Sequence, residues 1–322
     1  MSSSGFKKRV GVLRGGPSPE YEVSLKTGKK ILSLDIPGYE WRDIFIDKHG
    51  VWHLDGLAKK PFSVLSGVDG VFNALHGTYG EDGYVQELLD TYQIPYTGSG
   101  RVASALAMRK DLALNCCVEQ GIQIPASLLV REGDSREDVV SFYGKFSPPL
   151  IVKPVSAGSS VGIFLVSSEE ELNGAIDEAF KFSSAVLVQE FIEGREATCG
   201  VIERFRGESV YPLFSVEIIP HFSNFFDYEE KYGGKTFERC PGNFSKEENL
   251  EIQRIAKLMH SSLGLRHYSR SDFVVCPERG VFFLEVNSLP GLTETSLFPL
   301  ELEASGIKFE EFVKNVLDGI FN

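Results

Sequence analysis

A carboxylate and an amide lie on one face of an apolar segment late in the chain. Residues 282–291 are FFLEVNSLPG, and four of the first five are apolar, which predicts a buried strand. Glu285 and Asn287 are two positions apart, so their side chains share one face, roughly 6.5 Å apart. Such oxygen ligands suit Mg²⁺, and a cation would compensate a buried carboxylate. The alternative is a strand end with two solvent-facing polar residues.

A second strand extends this group. Residues 269–275 (SRSDFVV) lead into a strand that we expect to pair with residues 281–287. The resulting hairpin would bring Asp272 beside Glu285 and Asn287, which gives three oxygen ligands for one or two Mg²⁺ ions. Arg270 shares a strand face with Asp272, so both would reach the same site. The alternative is a structural Arg–Asp pair.

Residues 153–162 (KPVSAGSSVG) are a candidate phosphate-binding flap. Small residues let backbone N–H groups approach an anion, and the hydroxyls of Ser159 and Ser160 add donors. The segment lies between two predicted strands and is not a P-loop, because no Gly-Lys-Ser/Thr opens a helix after it. An ordinary Gly/Ser turn is the alternative, but Lys153 on an apolar strand favours a buried anion.

Other candidates are weaker when taken alone. Glu20 begins a predicted helix, where a carboxylate is stabilised by the helix dipole whatever its function. His76 follows a predicted strand and could simply satisfy a loop carbonyl. Lys231 and Tyr232 belong to a long stretch, 220–244, rich in aromatic residues, and loops of that length are typically functional or disordered.

Alternating strands and helices are expected to position these residues. In the first hundred residues, strands at 10–13 and 70–75 precede loops and helices, which predicts a parallel α/β unit. Ser18 is expected to cap the first helix with Pro19 following it, and residues 101–120 are expected to form one helix. Further strands are predicted at 149–153, 161–166, 185–191, 196–202, 210–219, 272–275 and 280–286, with helices at 168–182, 246–263 and 308–320.

Composition limits the class of protein. The 322 residues suggest two or three packed units, and the net charge of −12 argues against nucleic acid or an anionic membrane as a partner. The apolar run at 10–13 is too short for a signal peptide or a membrane span. Five cysteines without metal-like spacing predict reduced thiols in a cytoplasmic protein.

Taken together, the motifs resemble the D-alanine–D-alanine ligases of the ATP-grasp superfamily over nearly the whole chain. The matching pieces occur in the family's order at residues 15–24, 75–77 with 80–83, 95–100, 153–162, 228–232, Arg270 with Asp272, and 284–297. The resemblance implies an α/β (α+β) ATP-grasp fold with a Rossmann-like parallel α/β domain at 1–100, a small central domain bearing the flap at 101–190, and a mixed-sheet domain at 191–322. A homodimer is expected from the family only.

The resemblance also implies roles for individual residues. Lys110, Lys153, Ser159, Ser160 and Lys231 would contact ATP phosphates or line their site; Gln189, Glu190 and Ile192 would line the adenine slot, Glu196 would hold the ribose, and Asp272, Glu285 and Asn287 would bind two Mg²⁺, which Mn²⁺ can replace. Many family members have an acidic residue where Gln189 stands.

The implied chemistry is the ligation of two D-alanines through a D-alanyl phosphate, for peptidoglycan precursor synthesis. Glu20 would hold the first ammonium, with His76 nearby, and Arg270 and the N–H of Gly291 would stabilise the oxyanion. Ser296, the N–H of Leu297 and Lys231 would receive the second carboxylate, and Ser159, Tyr232 and Glu20 would lock the flap.

Three other functions were considered. A ligase that uses D-lactate or D-serine as acceptor belongs to the same class, but Tyr232 after Lys231 favours an amine acceptor by family inference. A non-catalytic ATP-binding protein need not keep metal, oxyanion and acceptor residues together. A dehydrogenase is excluded because Gly15-Gly16 lacks the G-x-G-x-x-G spacing.

Overall fold

Three β-sheets, each from a different part of the chain, form the framework. A computed structural model describes residues 7–146, 148–156, 158, 161–219 and 237–321. The strands are β1 (Lys8–Gly15), β2 (Tyr39–Ile46), β3 (Trp52–Leu54), β4 (Leu57–Ala58), β5 (Gly70–Asn73), β6 (Ser127–Arg131), β7 (Leu150–Pro154), β8 (Phe164–Val166), β9 (Ala185–Glu190), β10 (Arg195–Phe205), β11 (Glu208–Pro212), β12 (Val216–Ile219), β13 (Phe237–Arg239), β14 (Tyr268–Cys276) and β15 (Gly280–Asn287). The described helices are α1 (Tyr21–Leu32), α2 (Pro61–Leu65), α3 (Tyr84–Thr91), α4 (Arg101–Met108), α5 (Lys110–Glu119), α6 (Glu137–Lys145), α7 (Glu169–Ala179), α8 (Lys246–Ser262), α9 (Leu297–Ala304) and α10 (Phe309–Phe321).

The N-terminal sheet has the strand order β4-β3-β2-β1-β5. Strand β1 is parallel to both β2 and β5, as predicted, whereas β3 and β4 add an antiparallel edge that the sequence did not reveal. Val10, Val12 and Leu13 are fully buried, as expected for a central parallel strand covered on both faces. The ends of β1 and β5 deliver their loops to one edge of this sheet, where Glu20 and His76 lie.

The central sheet has the order β6-β9-β7-β8, and all of its pairings are antiparallel. Strands β7 and β8 pair from Leu150 with Val166, so the predicted flap is the connection of a hairpin. Helices α6 and α7 cover one face of the sheet. Only α7 was predicted, because the paired valines at 139 and 140 in α6 give no clear helical period.

The C-terminal sheet has the order β13-β12-β10-β14-β15, and β11 also pairs with β10. We predicted a mixed sheet here, but every pairing among the described residues is antiparallel. The predicted strand at 210–219 is broken between β11 and β12. As a result β10 pairs with β12 up to Thr198 and with β11 from Val201, which leaves Gly200 between the two.

Two helix predictions were wrong in detail. The helix expected at 101–120 is divided at Arg109, whose ψ is 95°, because the N–H of Lys110 donates to Val155 O at 3.1 Å. Helix α1 begins at Tyr21 with Glu20 at the N-cap position, two residues after the predicted Ser18. The Ser18 hydroxyl instead accepts a hydrogen bond from the N–H of Glu20.

Hydrophobic cores join these units. The largest core packs α4, α5 and α8 against β10, β14 and β15, and a second core joins β1 of the N-terminal sheet to α9 and α10. All five cysteines are free thiols, as predicted. Among the helices that the structure describes, none has the length and apolar character needed to cross a membrane.

Candidate active site

The hairpin of β14 and β15 assembles the predicted metal ligands. Its register pairs Asp272 with Glu285, which confirms the predicted proximity of these two residues, and it also pairs Arg270 with Asn287. An irregularity after Asp272 shifts the register, so that Phe273 pairs with Phe283. Paired residues of an antiparallel hairpin project to the same face. The four polar side chains therefore reach one cavity, while the two phenylalanines join the core beneath them.

Asp272 is surrounded by donors. Arg270 donates to it through Nε (3.1 Å) and Nη2 (3.2 Å), Thr198 through its hydroxyl (2.6 Å), and Asn287 through its amide nitrogen (3.2 Å). Burial alone would lower the pKa of Arg270, but the charge and hydrogen bonds of Asp272 raise it above its ordinary value. The guanidinium therefore stays charged, with its side chain only 14% exposed.

The charge of Glu285 on β15 is compensated by a lysine from helix α5. Lys110 Nζ lies 3.1 Å from Glu285 Oε2, and the Lys110 side chain is 8% exposed. The backbone N–H of Lys110 is bonded to Val155 at the base of the flap. One residue at the break between α4 and α5 thus contacts both the flap and the candidate metal ligands.

The residues of this group fit a magnesium ion. Two carboxylates and the amide oxygen of Asn287 are hard ligands, and Arg270 and Lys110 supply positive charge beside the carboxylates. Among the described residues, no group of three or more His, Cys, Asp or Glu side chains could hold a metal by itself. The remaining ligands would have to come from a bound phosphate and from water.

One cavity of about 320 Å³ is lined by the central and C-terminal sheets and by loops and a helix of the N-terminal unit. It is lined by almost every predicted site residue that the structure describes, namely Glu20, His76, Lys153, Gln189, Glu190, Ile192, Glu196, Arg270, Asp272, Glu285, Asn287, Gly291, Ser296 and Leu297. Lys110 lines a smaller adjacent cavity together with Glu20, Glu285 and Asn287. Ser159, Ser160, Lys231 and Tyr232 lie outside the described residues.

The end of the cavity formed by β9 has a fixed hydrogen-bonding pattern. The Gln189 amide nitrogen donates to the Ser127 hydroxyl at 2.6 Å, and that hydroxyl donates to Pro125 O at 2.7 Å. This chain of donors leaves the amide oxygen of Gln189 to accept from a ligand. The Glu190 carboxylate is bonded to Arg279 and to the N–H of Ala126, and the Glu190 N–H donates to Ala126 O at 2.9 Å, so the side chain of Glu190 is already held within the protein.

The opposite end is tied together by two buried titratable groups. His76 Nε2 lies 2.9 Å from the Thr27 hydroxyl, and Nδ1 lies 3.0 Å from Leu289 O. Since a carbonyl only accepts, Nδ1 carries the proton and Nε2 accepts from Thr27. Burial lowers the pKa of His76 to about 4, so the ring is neutral. Both ring nitrogens are bonded within the protein, which makes His76 a support for Leu289 more than a direct donor to substrate.

Glu81 is the second of these groups. It accepts hydrogen bonds from the N–H groups of Gly77 (2.8 Å) and Leu289 (3.1 Å). Burial, together with the nearby Glu20 carboxylate, raises the pKa of Glu81 to about 8. Glu81 and His76 thus hold the segment after β15 against the N-terminal unit.

The segment from Gly291 to Leu297 is compact. A Cβ added to Gly291 would lie 2.8 Å from the Ser296 hydroxyl, so glycine is needed at that position. Ser296 is the N-cap residue of α9, and its hydroxyl accepts from the N–H of Thr293 at 3.1 Å. Leu297 begins the helix, and the first N–H groups of a helix lack intrahelical acceptors.

Sequence reasoning missed some residues of the site. Thr198, which donates to Asp272, is two positions after Glu196 on the same strand face, and this period-2 relation could have identified it. Glu81 belongs to a recognised motif but was given no role. Nothing local in the sequence indicates its bond to Leu289, because 208 positions separate the two residues.

Comparisons with known proteins agree with this geometry. The family model described as "D-ala D-ala ligase C-terminus" matches residues 118–318, and "D-ala D-ala ligase N-terminus" matches residues 57–99. The D-alanine--D-alanine ligase of Geobacter sulfurreducens is 39% identical over 96% of this chain and 93% of its own. The ligase of Bacillus anthracis complexed with ATP superposes with a TM-score of 0.80 at 28% identity, covering 98% of this chain and 97% of its own. The VanG D-Ala:D-Ser ligase of Enterococcus faecalis gives a TM-score of 0.85 at 29% identity, covering 98% and 100%.

Proposed function

This chain belongs to the D-alanine–D-alanine ligase family, and from that premise we propose that it uses ATP to join two D-alanine molecules. Its fold is the ATP-grasp fold, and ATP is the nucleotide named in the Bacillus anthracis complex. We further propose domains at 1–100, 101–190 and 191–322, which the separate ranges of the three sheets support.

The nucleotide would bind between the central and C-terminal sheets. The amide oxygen of Gln189 would accept from the exocyclic amine of adenine, and Glu196 would bind the ribose. Lys153, buried on β7, and Lys110 would hold the phosphates. When bound to Asp272, Glu285 and Asn287, Mg²⁺ would supply charge neutralisation of the phosphates and of the transferring group.

In the first step the carboxylate of one D-alanine attacks the γ-phosphorus of ATP and releases ADP. Glu20 would hold the ammonium group of this D-alanine. Gly158, a described flap residue, supports closure over this end, because an added Cβ there would lie 3.4 Å from Glu20 Oε1. The interaction of Ser159 and Tyr232 with Glu20, which would complete the closure and exclude water from the acyl phosphate, stays a prediction.

In the second step the amine of another D-alanine attacks the acyl phosphate, and phosphate leaves after a tetrahedral oxyanion has formed. Two of the five N–H groups of Arg270 go to Asp272, so three remain for the oxyanion, together with the N–H of Gly291. Ser296 and the N–H of Leu297 at the start of α9 would bind the second carboxylate. Lys231 would add charge there.

The observation that carries this proposal is the joining of metal, oxyanion and acceptor residues in one cavity. Arg270, Asp272, Glu285, Gly291 and Ser296 all line it. A protein that only bound ATP would have no need of the last two residues there. We also propose a cytoplasmic location, a homodimer and a role in peptidoglycan precursor synthesis, on family grounds.

The test offers D-alanine, D-lactate and D-serine as acceptors to the purified protein with ATP and Mg²⁺. We expect D-alanyl-D-alanine as the main product near neutral pH, measured by phosphate release and mass spectrometry. Faster turnover with D-lactate or D-serine would establish the alternative, for which the VanG likeness is the structural reason. ATP binding without turnover of any acceptor would indicate a binding protein.

A further inference from the structure

A buried carboxyl group near Arg270 has no part in the chemistry above. Glu301 lies on α9, one helical turn after Leu297, and is 0% exposed. Its Oε1 accepts a hydrogen bond from the N–H of Gly200 at 2.9 Å. Its Oε2 has no hydrogen-bond partner among the described residues. Burial raises the pKa of Glu301 well above its ordinary value.

Gly200 provides the space that Glu301 occupies. It lies where β10 changes its partner from β12 to β11, so its N–H belongs to neither of those two ladders. A Cβ added to Gly200 would lie 2.5 Å from Glu301 Oε2 and 2.7 Å from the Phe298 ring. Glycine at this position therefore lets the first two turns of α9 approach the strand closely, and Glu301 satisfies the backbone donor.

The same position faces the oxyanion arginine. In the pairing of β10 with β14, Gly200 is opposite Arg270 and Thr198 is opposite Asp272. Directly opposed residues of an antiparallel pair share one face, so the carboxyl of Glu301 lies over Gly200 on the face of Arg270. The charge of Glu301 is among the causes that raise the pKa of Arg270, as expected for neighbouring groups.

We propose that Glu301 is a positioning residue for the second D-alanine. Through its bond to Gly200 it holds the start of α9, which carries Ser296 and Leu297, at a fixed distance from Arg270. The groups that bind the acceptor carboxylate and those that bind the oxyanion are then held at a fixed distance from each other. This inference rests on the proposed function, because it assigns the acceptor site to the start of α9.

The test compares two variants of similar volume in the full-length enzyme. Glu301→Gln keeps an oxygen that accepts from Gly200, whereas Glu301→Met does not. We expect Met to raise the KM for the acceptor D-alanine by about tenfold and to lower kcat, since the buried N–H loses its acceptor and α9 shifts. In the Gln variant, kcat and the KM for the acceptor D-alanine should stay within about twofold of the wild-type values. Glu303→Gln, at an exposed position of the same helix, is the matched control.

Two measurements separate positioning from general damage. In the Met variant the affinity for ATP should be unchanged. The donor half-reaction should also be unchanged, as measured by positional isotope exchange in ATP in the presence of the first D-alanine. An unchanged acceptor KM, or equal losses for ATP, donor and acceptor, would overturn the proposal. Should the Met variant not fold, Gln decides: an acceptor KM within about twofold supports the proposal, and a rise of about tenfold overturns it. A wild-type protein that makes no dipeptide would instead refute the proposed function.

Discussion

Replacement of Arg270 by methionine should separate catalysis from nucleotide binding. Methionine fills much of the space of the arginine stem without charge. The variant loses the three N–H groups that are not bonded to Asp272, and removal of oxyanion donors costs about 10²–10³ in kcat. We therefore expect a loss of about 10³-fold, or about 4 kcal/mol of transition-state stabilisation.

The same change should affect stability less than activity. Breaking a buried ion pair typically costs about 3–5 kcal/mol, but Asp272 keeps the Thr198 hydroxyl at 2.6 Å and the Asn287 amide at 3.2 Å. We expect a loss of about 2 kcal/mol in the free energy of unfolding, measured with denaturant. The affinity for ATP should be nearly unchanged, because the variant keeps Gln189 and Glu196, to which we assign the binding of the nucleoside.

We would test this reasoning by measuring the kinetics of ADP release and by isothermal titration with ATP. The control is a variant that lacks an exposed ion pair on the protein surface. Arg254 forms an exposed ion pair with Glu251 at 2.7 Å, so Arg254→Met removes a comparable pair far from the cavity and should leave turnover intact. Turnover of Arg270→Met within about fivefold of the wild type would refute the oxyanion role. An ATP affinity that falls as far as kcat would show that Arg270 acts in nucleotide binding instead.

Three further predictions concern metal, pH and base. Removal of Mg²⁺ with a chelator should abolish phosphate release, and Asp272→Asn should raise the half-saturating Mg²⁺ concentration about tenfold; unaltered Mg²⁺ dependence would contradict the ligand assignment. Burial lowers the pKa values of His76 and His267 to about 4, below the ordinary 6.5, so these histidines take up protons at a higher pH in the unfolded chain than in the folded protein. The free energy of unfolding should therefore be unaffected by these groups above pH 6.5. It should fall as the pH falls toward 4, by about 3 kcal/mol for each histidine. Denaturant titrations between pH 7 and 4 measure this, and a flat profile speaks against it. Gln189→Leu should raise the KM for ATP about tenfold, whereas Ser127→Ala, which frees the amide to rotate, should chiefly weaken discrimination against GTP; equal use of both nucleotides by the wild type would disprove this role.

The hairpin that carries the candidate metal ligands was predictable because its signals are local. Asp272 directly precedes an apolar run in one strand, Glu285 interrupts an apolar run in the next, and a short turn between the strands fixes the register. Nearly every predicted site residue in the described ranges lines one cavity for the same reason: each belongs to a strand end, helix start or glycine-rich loop that the sequence marks.

The features that the sequence did not reveal depend on contacts between distant segments. No glycine or proline marks the break at Arg109, which arises because the Lys110 N–H bonds to Val155 instead of to its own helix. The ring nitrogens of His76 are bonded to residues 49 and 213 positions away, and Glu301 meets Gly200 across 101 positions. Periodicity and capping signals carry no information about such pairs, which form only when whole elements pack.

The contact between Lys110 and Glu285 implies a thermodynamic linkage. Lys110 lies 3.1 Å from a carboxylate that we assign to the metal, while we assign Lys110 itself to the phosphates. Binding of Mg²⁺ to Glu285 therefore releases Lys110 for the phosphates, and binding of the phosphates to Lys110 releases Glu285 for Mg²⁺. The factor by which each ligand raises the affinity for the other must be the same. Nucleotide titrations at low and saturating Mg²⁺ would measure that coupling. Because the backbone N–H of Lys110 is bonded to Val155, a change of partner at the Lys110 side chain would also affect the base of the flap.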